Sequence, residues 1–402
     1  MSKTIAPPSA TVAATAGALA LASAMGIGRF SLTPILPLMQ HDMGLTLAQG
    51  GWLATSNYLG YLAGALVCMT RAPRPEWAIR WGLVSVAVLT VVTGLSHSPL
   101  LWLAFRFCAG VASAFVLVGV SAWAMTILTQ SNKSHWSGLV FAGVGIGIVF
   151  AGLVGLVAGL DGWGSRSTWL IMGVVATAIA GLLWRPLAAN PVAAGSMASG
   201  RSPVPRRALV AAVCYGLFGY GYIIPATFLP ALARQYIDNP AAFGWVWPVF
   251  GAAAALSTLA AARFGHRLAP RQLWMGAQWV LAAGVLAPVV SLNVATLLFA
   301  AVCVGGTFMV ITMAGIKEVL RIAGSQASRS VGMMTAAFAA GQIAGPLTVS
   351  LLAGSSNAFG AASVIAAVGL VVGNCGLSID GMLTPKTRQS PATALSSGGE
   401  PR

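Results

Sequence analysis

The sequence predicts an all-α membrane protein with twelve transmembrane helices arranged as two pseudo-symmetric six-helix bundles. Three observations support this prediction: the composition, the number of apolar runs and an internal repeat. Of the 402 residues, 57% are hydrophobic and only 7% are charged, and the mean hydropathy is +0.83. This amount of apolar surface cannot be hidden in one core, so most of it must face lipid.

Twelve apolar runs are long enough to cross a bilayer, which takes about 20 residues of helix. They cover residues 11–39, 49–70, 77–95, 99–129, 135–159, 167–185, 208–232, 243–263, 272–290, 293–315, 330–354 and 357–379. The longest gap between them, 186–207, is polar and rich in proline and serine. We therefore expect an N-terminal bundle (1–185), a cytoplasmic linker (186–207), a C-terminal bundle (208–380) and a cytoplasmic tail (381–402).

The two halves of the chain are related by an offset of 193 residues. At this offset Gly26, Gly28, Leu36 and Pro37 each meet an identical residue, and so does the pair Gly51-Trp52. The register continues through Arg74 and Trp81, so three successive spans match. The first apolar run is thus repeated as the seventh, and we interpret it as a membrane helix rather than a cleaved signal peptide.

Lysine and arginine are distributed unequally between the two sides of the predicted membrane. Cytoplasmic loops attract these residues, so we place the termini inside. Eighteen then lie on the inner side: Lys3, Arg71, Arg74, Arg80, Lys133, Arg185, Arg201, Arg206, Arg207, Arg263, Arg267, Arg271, Lys317, Arg321, Arg329, Lys386, Arg388 and Arg402. Only Arg166 and Arg234 lie outside. The net charge of +15 follows from this topology, and we expect no nucleic-acid binding.

Small residues recur at every fourth position of three predicted helices, which favours close approach of helix backbones. The longest ladder, in helix 5, consists of Gly143, Gly147, Ala151, Gly155 and Gly159. Shorter ladders occur in helices 2 and 11. We expect all three at the interface between the bundles.

Several motifs resemble those of the major facilitator superfamily. Helix 4 contains RFCAGVASA from Arg106, and the turn after helix 8 reads ARFGHR from Ala262. The strings GIGRFSLTPILPLM, ATSNYLGYLAGAL, YGLFGYGYIIPATFLPALAR and MTAAFAAGQIAGPL of helices 1, 2, 7 and 11 resemble the YbfB/YjiJ-type branch.

This resemblance implies a multi-pass protein of the bacterial inner membrane. It implies a central cavity that opens alternately to each side, lined by helices 1, 4, 7 and 10. Helix pairs 2/11 and 5/8 are expected where the bundles meet. The first residue of the loop motif departs from the family pattern, since Ala262 replaces aspartate.

Two arginines, Arg29 and Arg106, fall inside predicted membrane helices at similar depth. A charge at this depth costs roughly 2.5 to 3.5 kcal/mol on insertion scales, so it is retained mainly where it functions or is paired. All seven acidic residues can be placed outside the membrane, Glu318 as an inner-end pair with Arg321. Two buried positive charges without a buried carboxylate favour an anionic ligand. The alternative for either arginine is a structural tie to backbone carbonyls.

Polar and aromatic side chains at matching depth complete the predicted substrate site. They are Asn57, Tyr58, Tyr61, Tyr222, Thr227, Thr307 and Gln342. Tyr222 is the repeat partner of Arg29, and its hydroxyl either contacts the ligand or belongs to a packed ring. The prolines of helices 1 and 7 predict a break or a simple kink near this depth.

We therefore expect a secondary transporter that carries a small organic anion and acts as a monomer. The alternative is an exporter of lipophilic compounds in which the arginines are structural. An enzyme is not expected, because the chain has no HExxH, no GxSxG and no paired intramembrane carboxylates. The five cysteines and four histidines show no metal-binding spacing, and we expect no metal and no cofactor. Without a buried acid, we expect no Asp/Glu proton relay.

The topology can be tested with a single cysteine at Gly195 in a protein lacking its five native cysteines. Because the predicted linker is cytoplasmic, a membrane-impermeant maleimide should label Gly195→Cys only after the cells are opened. Labelling in intact cells would contradict the predicted orientation.

Overall fold

The computed structural model describes residues 8–188, 204–236, 244–323, 326–352 and 358–382. Twelve long helices run through these residues, and we number them α1 to α12. They span Ala10–Leu21 and Leu32–Met43 (α1), Leu47–Arg71 (α2), Pro75–Leu95 (α3), Pro99–Gln130 (α4), Ser137–Leu160 (α5), Ser165–Leu183 (α6), Arg206–Tyr236 (α7), Val246–Phe264 (α8), Pro270–Val290 (α9), Val294–Ala323 (α10), Ala327–Leu351 (α11) and Ala358–Met382 (α12). The predicted all-α fold is confirmed.

Local sequence explains where several helices begin. Proline stands at the first position of α3, α4 and α9, where its missing N–H leaves no hydrogen bond unmade. Thr46 and Gln49 form a capping box at the start of α2. Asp42, at the end of α1, accepts hydrogen bonds from the backbone N–H and the hydroxyl of Ser165 at the start of α6.

Helix α1 is interrupted in the middle of the N-terminal bundle. Residues Ala22–Ile27 form a π-helix, in which the N–H of Gly28 donates to the carbonyl of Ser23 at 2.8 Å. A turn at residues 28–31 then leads into the second α-helical piece. Such a break leaves backbone carbonyls without helical partners inside an apolar environment, so other groups must satisfy them.

The packing repeats between the two halves. Helix α4 packs against α2 and α3, α1 against α5, and α3 against α6. In the second half, α10 packs against α8 and α9, α7 against α11, and α9 against α12. Each pair in the first half therefore has a counterpart six helices later. The pairs α2/α11 and α5/α8 join the two bundles.

Ten of the described helices are long and apolar enough to cross a membrane by composition. Helices α2 and α11 are each 25 residues long but less apolar than the other ten. These two helices pack against each other between the bundles, and both contain candidate site residues. The candidate site residues of α2 and α11 therefore face the interior of the protein rather than lipid.

The glycine ladders are not where we expected them. In α5, Gly143 and Gly147 pack against the backbone of α1 within the same bundle. Gly145 and Gly152, on another side of α5, face α8 of the other bundle. Sequence spacing identifies a face of small residues, but it does not say which neighbour occupies that face. Most ladder positions thus stabilise the individual bundles.

The shorter ladders also face helices of their own bundle rather than the other bundle. Gly60 and Gly64 of α2 face the backbone of α4, and Gly341 and Gly345 of α11 face α7. The α2/α11 contact instead involves Gly332, where an added Cβ would lie 2.7 Å from the backbone nitrogen of Met69.

The connections between helices alternate between two ends of the bundle, and one end is strongly basic. We call it the basic side; it contains the described loops after α2, α4, α6, α8 and α10. The bundles meet there through Ser137 of α5, whose hydroxyl lies 3.6 Å from the sulfur of Met313 in α10. Residues 189–203 of the predicted linker, all but two of the predicted tail, and Lys3, Arg201, Asp238, Lys386, Arg388, Glu400 and Arg402 lie outside the described residues.

Close packing of α5 on α1 predicts opposite effects of alanine at two glycines of α5. A Cβ at Gly147 would lie 2.4 Å from the carbonyl oxygen of Ala22, so Gly147→Ala should push the helices apart and lower the melting temperature. Gly159 has nothing within 4 Å, and Gly159→Ala should leave stability equal or improve it by about 0.5 to 1 kcal/mol. Thermal unfolding of the detergent-purified variants measures both, and equal effects would contradict this packing.

Candidate functional site

Arg106 of α4 is bonded to the break in α1. Its Nη1 donates to the carbonyl of Gly28 and its Nη2 to the carbonyl of Arg29, both at 2.8 Å. The side chain is 4% exposed. Nearby, the hydroxyl of Ser113 donates to the carbonyl of Ala24 at 2.9 Å. These donors from α4 satisfy carbonyls that the interrupted helix leaves free.

Asn57 of α2 belongs to the same structural network. Its Nδ2 donates to the carbonyl of Arg106 at 2.9 Å, and the side chain is 1% exposed. We placed both Arg106 and Asn57 in the substrate site. Nη1 and Nη2 of Arg106 and Nδ2 of Asn57 instead hold backbone carbonyls, whereas Nε of Arg106 and Oδ1 of Asn57 are buried without a partner. We propose a structural role for both residues.

Arg29 lies in the turn of α1, and its side chain is left largely without hydrogen bonds. It is 3% exposed, yet Nε and Nη1 have no hydrogen-bond partner. The guanidinium lies over the ring of Tyr61, with its carbon 3.9 Å from the ring centroid, and 5.5 Å from the ring of Tyr58. The ion pairs among the described residues are Arg207 with Asp380 and Arg321 with Glu318. Arg29 therefore has no carboxylate partner in the described part of the chain.

A hydrogen bond from the Arg29 side chain crosses between the bundles. Its Nη2 donates to Oε1 of Gln342 in α11. Gln342 is fully buried, and its Nε2 has no partner. The hydroxyl of Tyr222 in α7 also interacts with the Gln342 side chain. Arg29, Gln342 and Tyr222 are thus brought together, as the sequence predicted.

Stacked aromatic rings cover the C-terminal bundle beside Arg29. Tyr222 stacks on Phe308 with ring centroids 5.3 Å apart and on Phe338 at 5.8 Å. Phe250 stacks on Phe308 at 5.2 Å and on Trp247 at 5.1 Å. We call these five side chains the aromatic wall.

Phe30 connects the aromatic wall with the buried charge. Its ring lies 6.3 Å from that of Phe308 and 6.4 Å from that of Trp247, and the guanidinium carbon of Arg29 is 5.6 Å from it. An apolar, ring-lined surface therefore begins directly next to a cation. This arrangement suits an amphipathic anion with a flat apolar part.

The remaining predicted site residues are Tyr58, Thr227 and Thr307. Tyr58 is half-buried, and its hydroxyl interacts with the exposed Thr227 of α7 across the two bundles. The hydroxyl of Thr307 donates to the carbonyl of Cys303 in its own helix at 2.6 Å, so it has its own partner.

A family profile described as the uncharacterised MFS-type transporter YbfB matches residues 21–377. The chain belongs to this family of major facilitator transporters. The family assignment, the fold and the expectation that the protein is a transporter rather than an enzyme are thereby confirmed.

Curated relatives within the major facilitators match shorter segments. The chain is 30% identical over 122 residues to the uncharacterised MFS-type transporter YceJ of Bacillus subtilis, covering 30% of this chain and 31% of that protein. It is 27% identical over 147 residues to the benzoate transport protein of Acinetobacter baylyi, covering 35% and 31%. It is 25% identical over 134 residues to the gentisate transporter of Corynebacterium glutamicum, covering 32% and 30%. Each match thus spans about a third of the relative's length.

The fold also matches a solved transporter structure. The human organic anion transporter MFSD10 (TETRAN) superimposes with a TM-score of 0.72, covering 92% of this chain and all of that chain. The sequence identity is 16%, so the match supports the fold alone.

None of the acidic residues that the structure describes forms an ion pair with Arg29. Asp42 is exposed and caps α6. Glu318 pairs with Arg321 through two hydrogen bonds of 2.7 and 3.0 Å, as expected, but it is 2% exposed rather than solvated. The pair neutralises this buried carboxylate on its own helix.

Sequence reasoning missed most of the aromatic wall. A signal for it exists in α7, where Tyr222 follows Tyr215 and Phe218 at helical spacing, and all three rings contact Phe338 of the wall. The contributions of α8, α10 and α11 are isolated phenylalanines and a tryptophan, which look like ordinary lipid-facing residues in the sequence.

The contrast between the two arginines predicts different mutant phenotypes. Arg106→Met removes both donors to the α1 carbonyls, so we expect poor membrane expression and a loss of roughly 2 to 4 kcal/mol of stability. Arg29→Met removes a charge that has one side-chain hydrogen bond, so the protein should fold with little loss. Melting temperatures of the two purified variants test this. A stable Arg106→Met protein would argue against the structural tie.

Proposed function

We propose that this transporter carries small aromatic carboxylates across the membrane by alternating access. The observation that carries the proposal is the buried guanidinium of Arg29, which has two unpaired nitrogens and lies over the ring of Tyr61. On another side it is 5.6 Å from the ring of Phe30, which contacts the aromatic wall. Leaving such a charge unpaired in a dry interior is costly. The missing partner is supplied when an anion binds.

The geometry of the guanidinium favours a carboxylate. Nη2 has two hydrogens, and Gln342 accepts only one of them. The other hydrogen and either Nε or Nη1 form an open edge of two parallel donors. A carboxylate matches such an edge with two hydrogen bonds, which is the arrangement that arginine recognises best.

The surroundings favour a flat aromatic body behind that carboxylate. A ring attached to it can lie against Phe30 and the aromatic wall in offset or edge-to-face contact, as the rings there already do. Two relatives are a benzoate transport protein and a gentisate transporter, and benzoate and gentisate are both aromatic carboxylates. A purely lipophilic cargo would leave the charge of Arg29 unpaired.

The aromatic wall also contains a free hydrogen-bond donor. The indole N–H of Trp247 is buried without a partner. A hydroxyl group on the substrate ring would provide the missing acceptor. We therefore include hydroxybenzoates beside benzoate among the substrates.

Binding of benzoate to the purified protein tests the role of Arg29. Arg29→Lys keeps the charge but loses the planar two-point contact, so affinity should fall by about 1.5 to 3 kcal/mol, and Arg29→Met should bind more weakly still. Tyr222→Phe removes one hydroxyl and should cost about 0.5 to 1.5 kcal/mol. Isothermal titration measures affinity, and thermal unfolding checks that each variant is folded.

Controls for this test are available in the chain and in the ligand. Arg80 also lies over an aromatic ring, 3.8 Å from Trp184, but away from the site, so Arg80→Lys should bind benzoate like the wild type. Benzamide lacks the charge and cyclohexanecarboxylate lacks the aromatic ring, and both should bind more weakly than benzoate. Unchanged benzoate affinity in a folded Arg29→Met protein would refute the proposal and favour a lipophilic cargo.

A further inference from the structure

The hydrogen bond from Arg29 to Gln342 joins α1 of one bundle to α11 of the other. The bundles are also in contact on the basic side. The site is closed, since Arg29, Tyr61, Tyr222 and Gln342 are all at most 3% exposed. The protein therefore encloses a guanidinium that has no carboxylate partner among the described residues.

Two groups lessen the cost of this enclosed charge. The carbonyl dipole of Gln342 accepts a charge-assisted hydrogen bond, and the face of the Tyr61 ring provides a cation–π contact at 3.9 Å. Only Gln342 comes from the opposite bundle. Its hydrogen bond therefore forms only when the bundles close around the site.

We infer that the hydrogen bond from Arg29 to Gln342 partly compensates the buried charge when no carboxylate is bound, and so allows the empty carrier to close and return without cargo. This inference rests on the proposed function, since it concerns the guanidinium that we assign to the substrate carboxylate. Gln342 acts through Arg29 and is a positioning residue.

The chemistry of an amide suits this role better than the alternatives. A glutamate would neutralise Arg29 permanently and compete with the substrate, whereas an apolar side chain would leave the charge bare. Gln342 is also held less firmly, because its Nε2 has no hydrogen-bond partner and only the Tyr222 hydroxyl interacts with the side chain besides Arg29. Gln278, by contrast, accepts from the indole of Trp274 and donates to the carbonyl of Leu370, so it is held at both ends.

Loss of the Gln342 amide should affect net transport more than exchange. Net transport needs the empty carrier to reorient, whereas exchange of one substrate for another uses only loaded forms. Without the amide, the empty carrier should reorient more slowly, while the loaded carrier reorients as before. The wild type returns empty, whereas the variant would mainly exchange one substrate molecule for another.

The first experiment uses proteoliposomes and radiolabelled benzoate. In Gln342→Met, which has similar length but no amide, the ratio of exchange to net uptake should rise about tenfold, because an enclosed charge loses one hydrogen bond. Gln342→Glu should lose benzoate binding while keeping or raising the melting temperature. Gln278→Leu is the control for a merely structural glutamine and should lower both fluxes in proportion. A proportional loss in Gln342→Met as well would overturn the inference.

The second experiment needs no substrate and separates the two proposals. Phenylglyoxal modifies accessible guanidinium groups, and mass spectrometry quantifies the modification at each arginine. In ligand-free Gln342→Met, closure around Arg29 is less favourable, so Arg29 should react several-fold faster than in the wild type. Arg106, held by two carbonyls, should not change, and the exposed Arg166 normalises the reagent.

The outcomes distinguish a failure of the function from a failure of the inference. A wild-type protein that neither binds nor carries benzoate would refute the aromatic-carboxylate function, while faster labelling of Arg29 in Gln342→Met would still support the role of Gln342. Unchanged labelling of Arg29 would overturn that role, even if benzoate is transported.

Discussion

The contact of Arg106 with the carbonyls of Gly28 and Arg29 is the interaction on which the rest of the site depends. A helix can be interrupted inside a membrane protein only if its freed backbone groups find other partners. Arg106 provides two donors at the required place, and Ser113 provides a third. The interruption in turn places Arg29 in a turn rather than on a regular helix face.

In the substrate site that we propose, recognition is divided between the two bundles. The N-terminal bundle contributes the charge of Arg29 and the ring of Tyr61 beneath it. The C-terminal bundle contributes the aromatic wall and Gln342. A ligand with a carboxylate and a flat ring would therefore contact both bundles at once, and its binding energy depends on how they are positioned relative to each other. This dependence is what alternating access requires of a substrate.

How much of the site the sequence predicts depends on the kind of residue. Arg29, Tyr61, Tyr222 and Gln342 were identified because a charge or a polar group is costly at membrane depth, and the structure brings them together. The same reasoning selected Arg106 and Thr307, whose donors turn out to bond backbone carbonyls. The free-energy cost of burying a polar group shows only that the group needs a partner. It does not show whether that partner is a ligand or the backbone.

By itself the sequence determined the membrane environment, the twelve spans and the relation between the halves, because apolar length, hydropathy and a repeat of 193 residues are local or periodic properties of the chain. The tertiary structure decided which faces meet. It turned the ladder glycines Gly143 and Gly147 toward α1 rather than the other bundle, and it assembled the aromatic wall from four separate helices. In the structure, Arg106 donates to two backbone carbonyls, whereas Nε and Nη1 of Arg29 have no hydrogen-bond partner. These outcomes depend on the rotation of each helix about its axis, which is set by packing among all the neighbouring helices at once.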